Sequence, residues 1–377
     1  MSSFHAKLSS NQRLGSRQAP KPASAFHGDE KRRLALVDVL MKFVGDDVDN
    51  LRITIELILR EGSNRLFHLF SDPSNRVFWP ALFVCVVVLI VVGQHFPKAI
   101  ALSGTSFSSS FEKLHTPLRS LFSAEIWKHI STRVDVKLLL FGAFFKAALL
   151  SLSLFSVHAF TLKTLTFLED VLGEPPTFSL SDDVVAIFLT LALFVTWDLS
   201  RFGVHVAMHR IPFLWRFHAV HHSAEVLTPL TLFRVHPVET LLVQIRGVLV
   251  TGALTGLFFY LWRRQAVQIT LLGVNALTLL ASYSLSNLRH SHVFLGFGKL
   301  ERLFISPAQH QIHHGDDEKY FNKNFGTWLS CWDQMLGSFL SSSTGPPERF
   351  GVRGVKHPTL FSALRAASVD VDVESSQ

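Results

Sequence analysis

The stretch HVAMHRIPFLWRFHAVHH, residues 205–222, decides how the rest of the chain is read. It carries His205 and His209 in HVAMH, then His218, His221 and His222 in HAVHH. On an α-helix, positions i and i+4 share a face, so His205 and His209 can point at one ion. In HxxHH the first two histidines, i and i+3, are also expected on one face. The third points about a hundred degrees away and reaches a neighbouring ion. A second such element, HQIHH, holds His310, His313 and His314, and single histidines stand at His236 in RVHP and His290 in LRHSH. A lone zinc ion uses about four ligands, so ten imidazoles make two metal ions the natural count. No sulfur or carboxylate recurs with them, and nitrogen-rich ligation suits iron, copper, zinc and nickel alike.

A structural role for the whole cluster is costly. Neutral imidazoles packed together at a membrane surface need partners, and protonated ones repel. The isolated His68, His95, His129 and His158 read instead as surface or satisfied core residues.

Composition points to a membrane. The chain is 48% hydrophobic with 34 Phe and a mean hydropathy of +0.29, too apolar for an ordinary soluble protein. Its 36 Lys and Arg exceed its 29 Asp and Glu only modestly and without a stripe. Nucleic acid is therefore not an expected partner, and anionic lipid headgroups account for the basic balance. Cys85 and Cys331 cannot build a disulfide framework or a zinc-thiolate site.

The expected fold is all-α, a multi-pass membrane bundle of four or five helices with a cytosolic histidine-rich cap. Residues 1–34 read as a flexible polar tail and 35–77 as an amphipathic helical region. Residues 78–180 hold N-terminal membrane helices of unassigned role, 181–340 the catalytic domain, and 341–377 a C-terminal tail. Expected spans are Phe78–Gln94, Val136–Phe160, Val184–Val204 and a hairpin of Thr240–Trp262 with Ala266–Leu288. The hairpin returns the chain to the side it left, so all dense histidine groups fall on one face, taken as cytosolic. Charge is less consistent, because Arg263 and Arg264 sit at the hairpin tip, and one early segment is expected not to cross fully. Trp215, Trp328 and Trp332 are expected to anchor at the membrane interface.

Other redox scaffolds are eliminated by the same text. Soluble di-iron bundles need paired Glu-x-x-His motifs, and only Glu112 to His115 fits. Haem-thiolate and iron-sulfur centres need more cysteine. No HExxH and no GxGxxG after a strand is present.

From Asp198 to Phe339 the segments DLSRFGVHVAMHR, LWRFHAVHHS, FRVHPVE, LRHSHVFLGFGKLERLFISPAQHQIHHG and NFGTWLSCWDQMLGSF resemble the fatty acid hydroxylase superfamily, in particular its sterol desaturase branch. The resemblance implies a histidine-ligated pair of iron ions that uses dioxygen and external electrons to hydroxylate or desaturate a lipid such as a sterol or fatty acyl chain. It places His205, His209, His218, His221, His222, His290, His310, His313 and His314 on the family's ligands and His236 on a further histidine of the HPxE motif. Asp198, Asn324 and Asp333 fall on recurrent polar positions that orient the ligands. Val206, Phe325, Ser338 and His292 depart from the pattern. The chain has no cytochrome, flavin or iron-sulfur motif, so a ferredoxin or a small cytochrome with its reductase is the implied electron donor. Two other classes stay open on the residues alone: a histidine-rich membrane metal transporter and a non-catalytic zinc-binding membrane scaffold.

Overall fold

The computed structural model describes residues 48–75, 77–95, 100–104, 117–151, 156–176, 178, 180–262, 268–271, 274–283 and 285–365. The expected polar tail lies outside them. Contacts divide the chain into residues 1–56 and 57–377. The helix α1 (Val48–Phe67) begins in the first unit, where Arg52 and Glu56 pair at 2.9 Å one turn apart.

In the second unit the order is α2 (Trp79–His95), β1 (Ile100–Leu102), α3 (Pro117–Leu121), α4 (Ala124–Lys128), α5 (Ile130–Ser151) and α6 (Val157–Leu172). There follow α7 (Asp182–Arg210), α8 (Pro212–His222), α9 (Pro237–Trp262), β2 (Thr270–Leu271), β3 (Val274–Asn275) and α10 (Ala276–Tyr283). The chain then runs through β4 (Val293–Leu295), α11 (Pro307–His313), α12 (Cys331–Leu336) and α13 (Leu360–Arg365). Helix dominates, and the described strands form only two short antiparallel ribbons, β1–β4 and β2–β3.

Two helices among the described residues, α7 with 29 residues and α9 with 26, are long and apolar enough to cross a membrane. Only 28% and 22% of their apolar windows are buried. A core helix of a soluble protein would hide such a surface, whereas Phe188, Leu191 and Leu249 here face outward.

The other expected spans take different forms. Phe78–Gln94 becomes α2, an apolar helix of 17 residues, at the lower end of the roughly 17–25 that a span requires. Val136–Phe160 is divided between α5 and α6, because the Ser156 hydroxyl accepts from the Ala159 amide at 3.2 Å and starts a new helix. Among the described residues, the returning limb Ala266–Leu288 holds the β2–β3 ribbon and the eight-residue α10. There Asn275 accepts from the Leu277 and Thr278 amides while its own amide nitrogen donates to the Thr190 carbonyl and to Gln268. A polar side chain thus caps a short helix in the middle of an apolar run.

On the other side of α9, Gly252 and Gly256 let α6 approach closely. A Cβ at Gly256 would stand 2.7 Å from the Thr161 carbonyl oxygen, and one at Gly252 would stand 2.9 Å from the Phe160 side chain. Small residues one turn apart are how membrane helices bring their backbones together.

The elements that carry histidine are brought together by short connections. Pro212, which has no amide hydrogen to leave unpaired, opens α8 one residue after α7 ends. Helix α11 opens on a reciprocal cap between Ser306 and Gln309. Gln311 on α11 donates to the Leu288 and Val293 carbonyls, both at 2.9 Å, and accepts the Ser103 hydroxyl. This fastens α11 to the β1–β4 ribbon.

Arg234 closes the assembly beneath α8. It is 1% exposed and pairs with Asp135 of α5 at 3.0 Å. It also donates to the Val220 carbonyl at 2.8 Å and to the Ser223 hydroxyl at 3.0 Å, at the C-terminal end of α8. Residues 341–365, expected as a tail, pack onto this region: Ala363 of α13 lies in one cluster with Val134, Leu138 and Val220, and Phe350 bridges to Gly315.

Breaking the buried pair leaves an uncompensated charge. Asp135→Ala is expected to cost about 3–5 kcal/mol, measured as lowered stability in detergent, whereas Asp135→Leu combined with Arg234→Met recovers most of it.

Candidate metal centre

Nine of the ten expected histidines converge. His205, His209, His218, His222 and His313 form one group, and His221, His290, His310 and His314 a second, with the ring nitrogens of each group within 4.8 Å of one another. No thiol or carboxylate belongs to either group.

The way the two HxxHH elements divide differs from the sequence expectation. On α8, His218 and His222 (i, i+4) share the first group and His221 turns to the second; on α11, His310 and His314 share the second and His313 turns to the first. Ring centroids agree: His218–His222 is 4.9 Å against 5.5 Å for His218–His221, and His310–His314 is 4.9 Å against 5.7 Å for His310–His313. At about 100° per residue, i+4 returns to within about 40° of its start and i+3 to only about 60°. Each motif therefore lends two rings to one group and one to the other.

One nitrogen of several rings is spent on the protein. Nδ1 of His205 lies 2.7 Å from the Phe325 carbonyl oxygen, that of His313 lies 2.8 Å from the Lys323 carbonyl oxygen, and that of His221 lies 3.3 Å from the Arg234 carbonyl oxygen. Nδ1 of His218 is 3.1 Å from Glu239 Oε2 on α9. Such partners fix the tautomer and leave the Nε2 lone pair pointing inward. Inside, Nε2 atoms face each other at 3.1 Å in the pairs His205–His218, His205–His313 and His290–His310. Nitrogens about 2.1 Å from a shared ion and at right angles around it are about 3.0 Å apart, or about 3.4 Å in a tetrahedron. Nε2 of His209 and of His222, Nδ1 of His310 and both ring nitrogens of His314 are buried without a protein partner. Buried lone pairs converging at this spacing fit metal ions.

Charge supports neutral rings. Burial first, and neighbouring imidazoles second, drive His222, His310 and His314 well below the usual histidine range. Burial likewise lowers His221 to about 4 and His313 to about 3.

His236 stands apart from both groups. Its Nδ1 accepts from the Val238 amide at 3.1 Å and its Nε2 lies 3.1 Å from the Leu364 carbonyl oxygen, so both nitrogens are used to start α9 and hold α13.

The three expected polar positions act through the backbone. Asp198 accepts from the Trp328 and Leu329 amides and the Trp332 indole, at 3.0, 3.1 and 3.0 Å. Asp333 accepts from the Phe325 and Gly326 amides and the Ser338 hydroxyl, at 2.8, 2.7 and 2.6 Å. Asn324, at a positive φ of 57°, donates to the Gln309 and Leu340 carbonyls. Together they set the loop whose carbonyls at 323 and 325 receive His313 and His205.

Two of the tryptophans expected at the membrane interface are buried instead. Trp215 is buried against His209 and His222, Trp328 is buried, and Trp332 donates to Asp198. His292 is structural, linking the Ser103 carbonyl to the Leu227 amide. Sequence reading missed Glu239; its signal was the carboxylate three residues after His236 in HPVE.

A family model for fatty acid hydroxylase matches residues 190–338. An ornithine lipid hydroxylase from Rhizobium tropici is 30% identical over 161 residues, covering 41% of this chain and 44% of its own. An alkylglycerol monooxygenase from Danio rerio is 25% identical, covering 44% and 32%. A human lathosterol oxidase is 23% identical, covering 51% and 58%. The matched region is thus less than two thirds of the length of each relative. No solved structure matches. The segment 190–338 of this chain thus matches the fatty acid hydroxylase family model, and both histidine groups lie inside the match.

Proposed function

We propose that this protein is a membrane-bound, O2-dependent hydroxylase or desaturase of a lipid, working with two iron ions and externally supplied electrons. The observation that carries this reading is the convergence of nine imidazoles in two groups, inside a segment that matches the fatty acid hydroxylase family model and lipid-oxidising relatives. In it, His205, His209, His218, His222 and His313 hold one ion and His221, His290, His310 and His314 the other. When bound, the irons activate dioxygen for attack on a carbon–hydrogen bond.

The chain's own residues do the rest. Glu239, 3.1 Å from Nδ1 of His218, holds that ring with its other nitrogen facing inward. The carbonyls of Lys323 and Phe325 do the same for His313 and His205. Trp215 and Phe325 pack against the histidines and exclude water from the first group. Electrons come from a partner such as a ferredoxin or a small cytochrome with its reductase. The catalytic domain is taken as residues 181–340, joined to its membrane through at least α7 and α9, with both histidine groups on the cytosolic face.

Metal analysis of protein expressed with iron should give about two irons per chain, with His222→Ala or His314→Ala losing about one. His236→Gln should keep both. Zinc alone, or weakly held exchangeable metal, would overturn the reading in favour of a scaffold or a transporter. Asp198→Asn should keep metal at saturating iron and lose about 10- to 100-fold in activity, since it acts on His205 only through the loop.

The lowered basicity of the rings fixes a pH dependence for the metal-free protein. Above about 6.5 the imidazoles are neutral both folded and unfolded; below it the unfolded chain takes up protons that buried His221 refuses until about 4. Stability present above pH about 6.5 is therefore expected to fall as pH drops toward 4, measured by denaturant unfolding, and the fall should be blunted in His221→Asn.

Arg210 and Lys299 are exposed beside the first group and the β4 turn. Cysteines placed at the two positions should react with a membrane-impermeant reagent only after the cells are opened. Reaction in intact cells at either one would contradict the cytosolic placement.

A further inference from the structure

One cavity reaches from His205, His218 and His310 to a wall of three arginines, Arg201 on α7, Arg246 on α9, and Arg289. Arg246 is 8% and Arg289 2% exposed. No ion pair is made by any of the three among the described residues. Arg246 directs Nη1 to the Trp197 carbonyl at 3.2 Å and the Ser200 hydroxyl at 3.0 Å; Arg289 directs Nη2 to the Ile305 carbonyl at 3.2 Å. The Nε atoms of both are buried without a partner, and a guanidinium has five N–H donors to satisfy. The Arg201 and Arg246 guanidinium carbons lie 5.6 and 4.4 Å from the Trp197 ring centre, and that of Arg289 lies 4.7 Å from Trp328. Aromatic faces steady these charges without neutralising them.

The only carboxylate on the cavity wall is Glu239, which faces His218 at 3.1 Å. Buried Asp198 also acts on Arg201 and Arg289, so three guanidiniums meet two carboxylates and the wall keeps an excess of positive charge. Buried positive charge of that kind is costly unless an anion meets it, and ionisable residues within apolar helices mark ligand sites. Beside the histidines the wall has an apolar part made by Val204, Met208, Leu232 and Val243.

We propose that this cavity binds the anionic group of an amphiphilic substrate, a carboxylate or a phosphate, through Arg201, Arg246 and Arg289. The apolar wall takes the start of the chain, and the carbon to be oxidised lies a few bonds from the anion, because the arginines and histidines share one chamber. The last clause rests on the oxygenase reading above; the anion site does not.

The test uses the full-length protein in phosphatidylcholine nanodiscs, metal-free and iron-loaded, with binding followed by tryptophan fluorescence and by calorimetry. Palmitate and hexadecyl phosphate should bind at least about tenfold tighter than hexadecanol in both states. Arg246→Gln and Arg289→Gln should each lower the affinity for the anions about tenfold and leave that for hexadecanol unchanged. Arg246→Lys, which keeps the charge, should keep the preference. Equal binding of the alcohol, or an equal loss for alcohol and anion in folded Gln variants, would overturn the proposal. Displacement of palmitate by millimolar inorganic phosphate would overturn the amphiphile as the source of the anion. A protein that takes up no iron yet prefers the anions upholds the arginine site and removes the oxygenase reading instead.

Discussion

A neutral imidazole has one nitrogen that gives a hydrogen bond and one that accepts, and the rest of this structure depends on deciding which faces inward. Four of the nine clustered rings face a protein oxygen through Nδ1: a carbonyl at 323, 325 or 234, or Glu239. That settles the tautomer and aims the remaining lone pair at the interior. The requirement reaches far from the rings. Asp198 and Asp333 are buried carboxylates whose oxygens accept from backbone amides, the Trp332 indole and the Ser338 hydroxyl, and they hold the loop that carries two of those carbonyls. Arg234 plays the corresponding part beneath α8, where its side chain grips the helix end and its carbonyl receives His221.

Burial gives the arrangement its electrostatic character. Rings removed from water and crowded by other rings resist protonation, so they remain donors of electron pairs where free histidine would be half charged. The absence of carboxylates from both groups leaves any bound metal with all of its positive charge uncompensated by ligands. The one nearby carboxylate, Glu239, reaches the site only through His218.

Much of this was legible in the sequence, and the failures have physical causes. The histidine elements announced themselves because ten imidazoles at helical spacings have no cheap structural explanation, and α7 and α9 followed from unbroken apolar runs. His236 was misleading because spacing cannot reveal that both its nitrogens are taken by the amide at 238 and the carbonyl at 364. In the returning limb of the hairpin Asn275 caps α10, and such a polar cap is lost in a hydropathy average. Within 136–160 the Ser156 cap of α6 is lost in the same way. The division of HxxHH followed angle: 60° and 40° are both one face to a pattern reader, and only the packed helices distinguish them. Trp215 and Trp328 were placed at an interface by residue type, whereas the structure uses their bulk around the histidines and arginines.

The crossing over of histidines between α8 and α11 makes the two groups a single mechanical object. A rotation of α8 that draws His218 and His222 away from the first group must swing His221 in the second, and α11 imposes the converse through His313. Damage to one compartment is thereby transmitted to the other through rigid helices, with no relay of intervening side chains. A lesion confined to a single compartment must alter a ring without moving its helix.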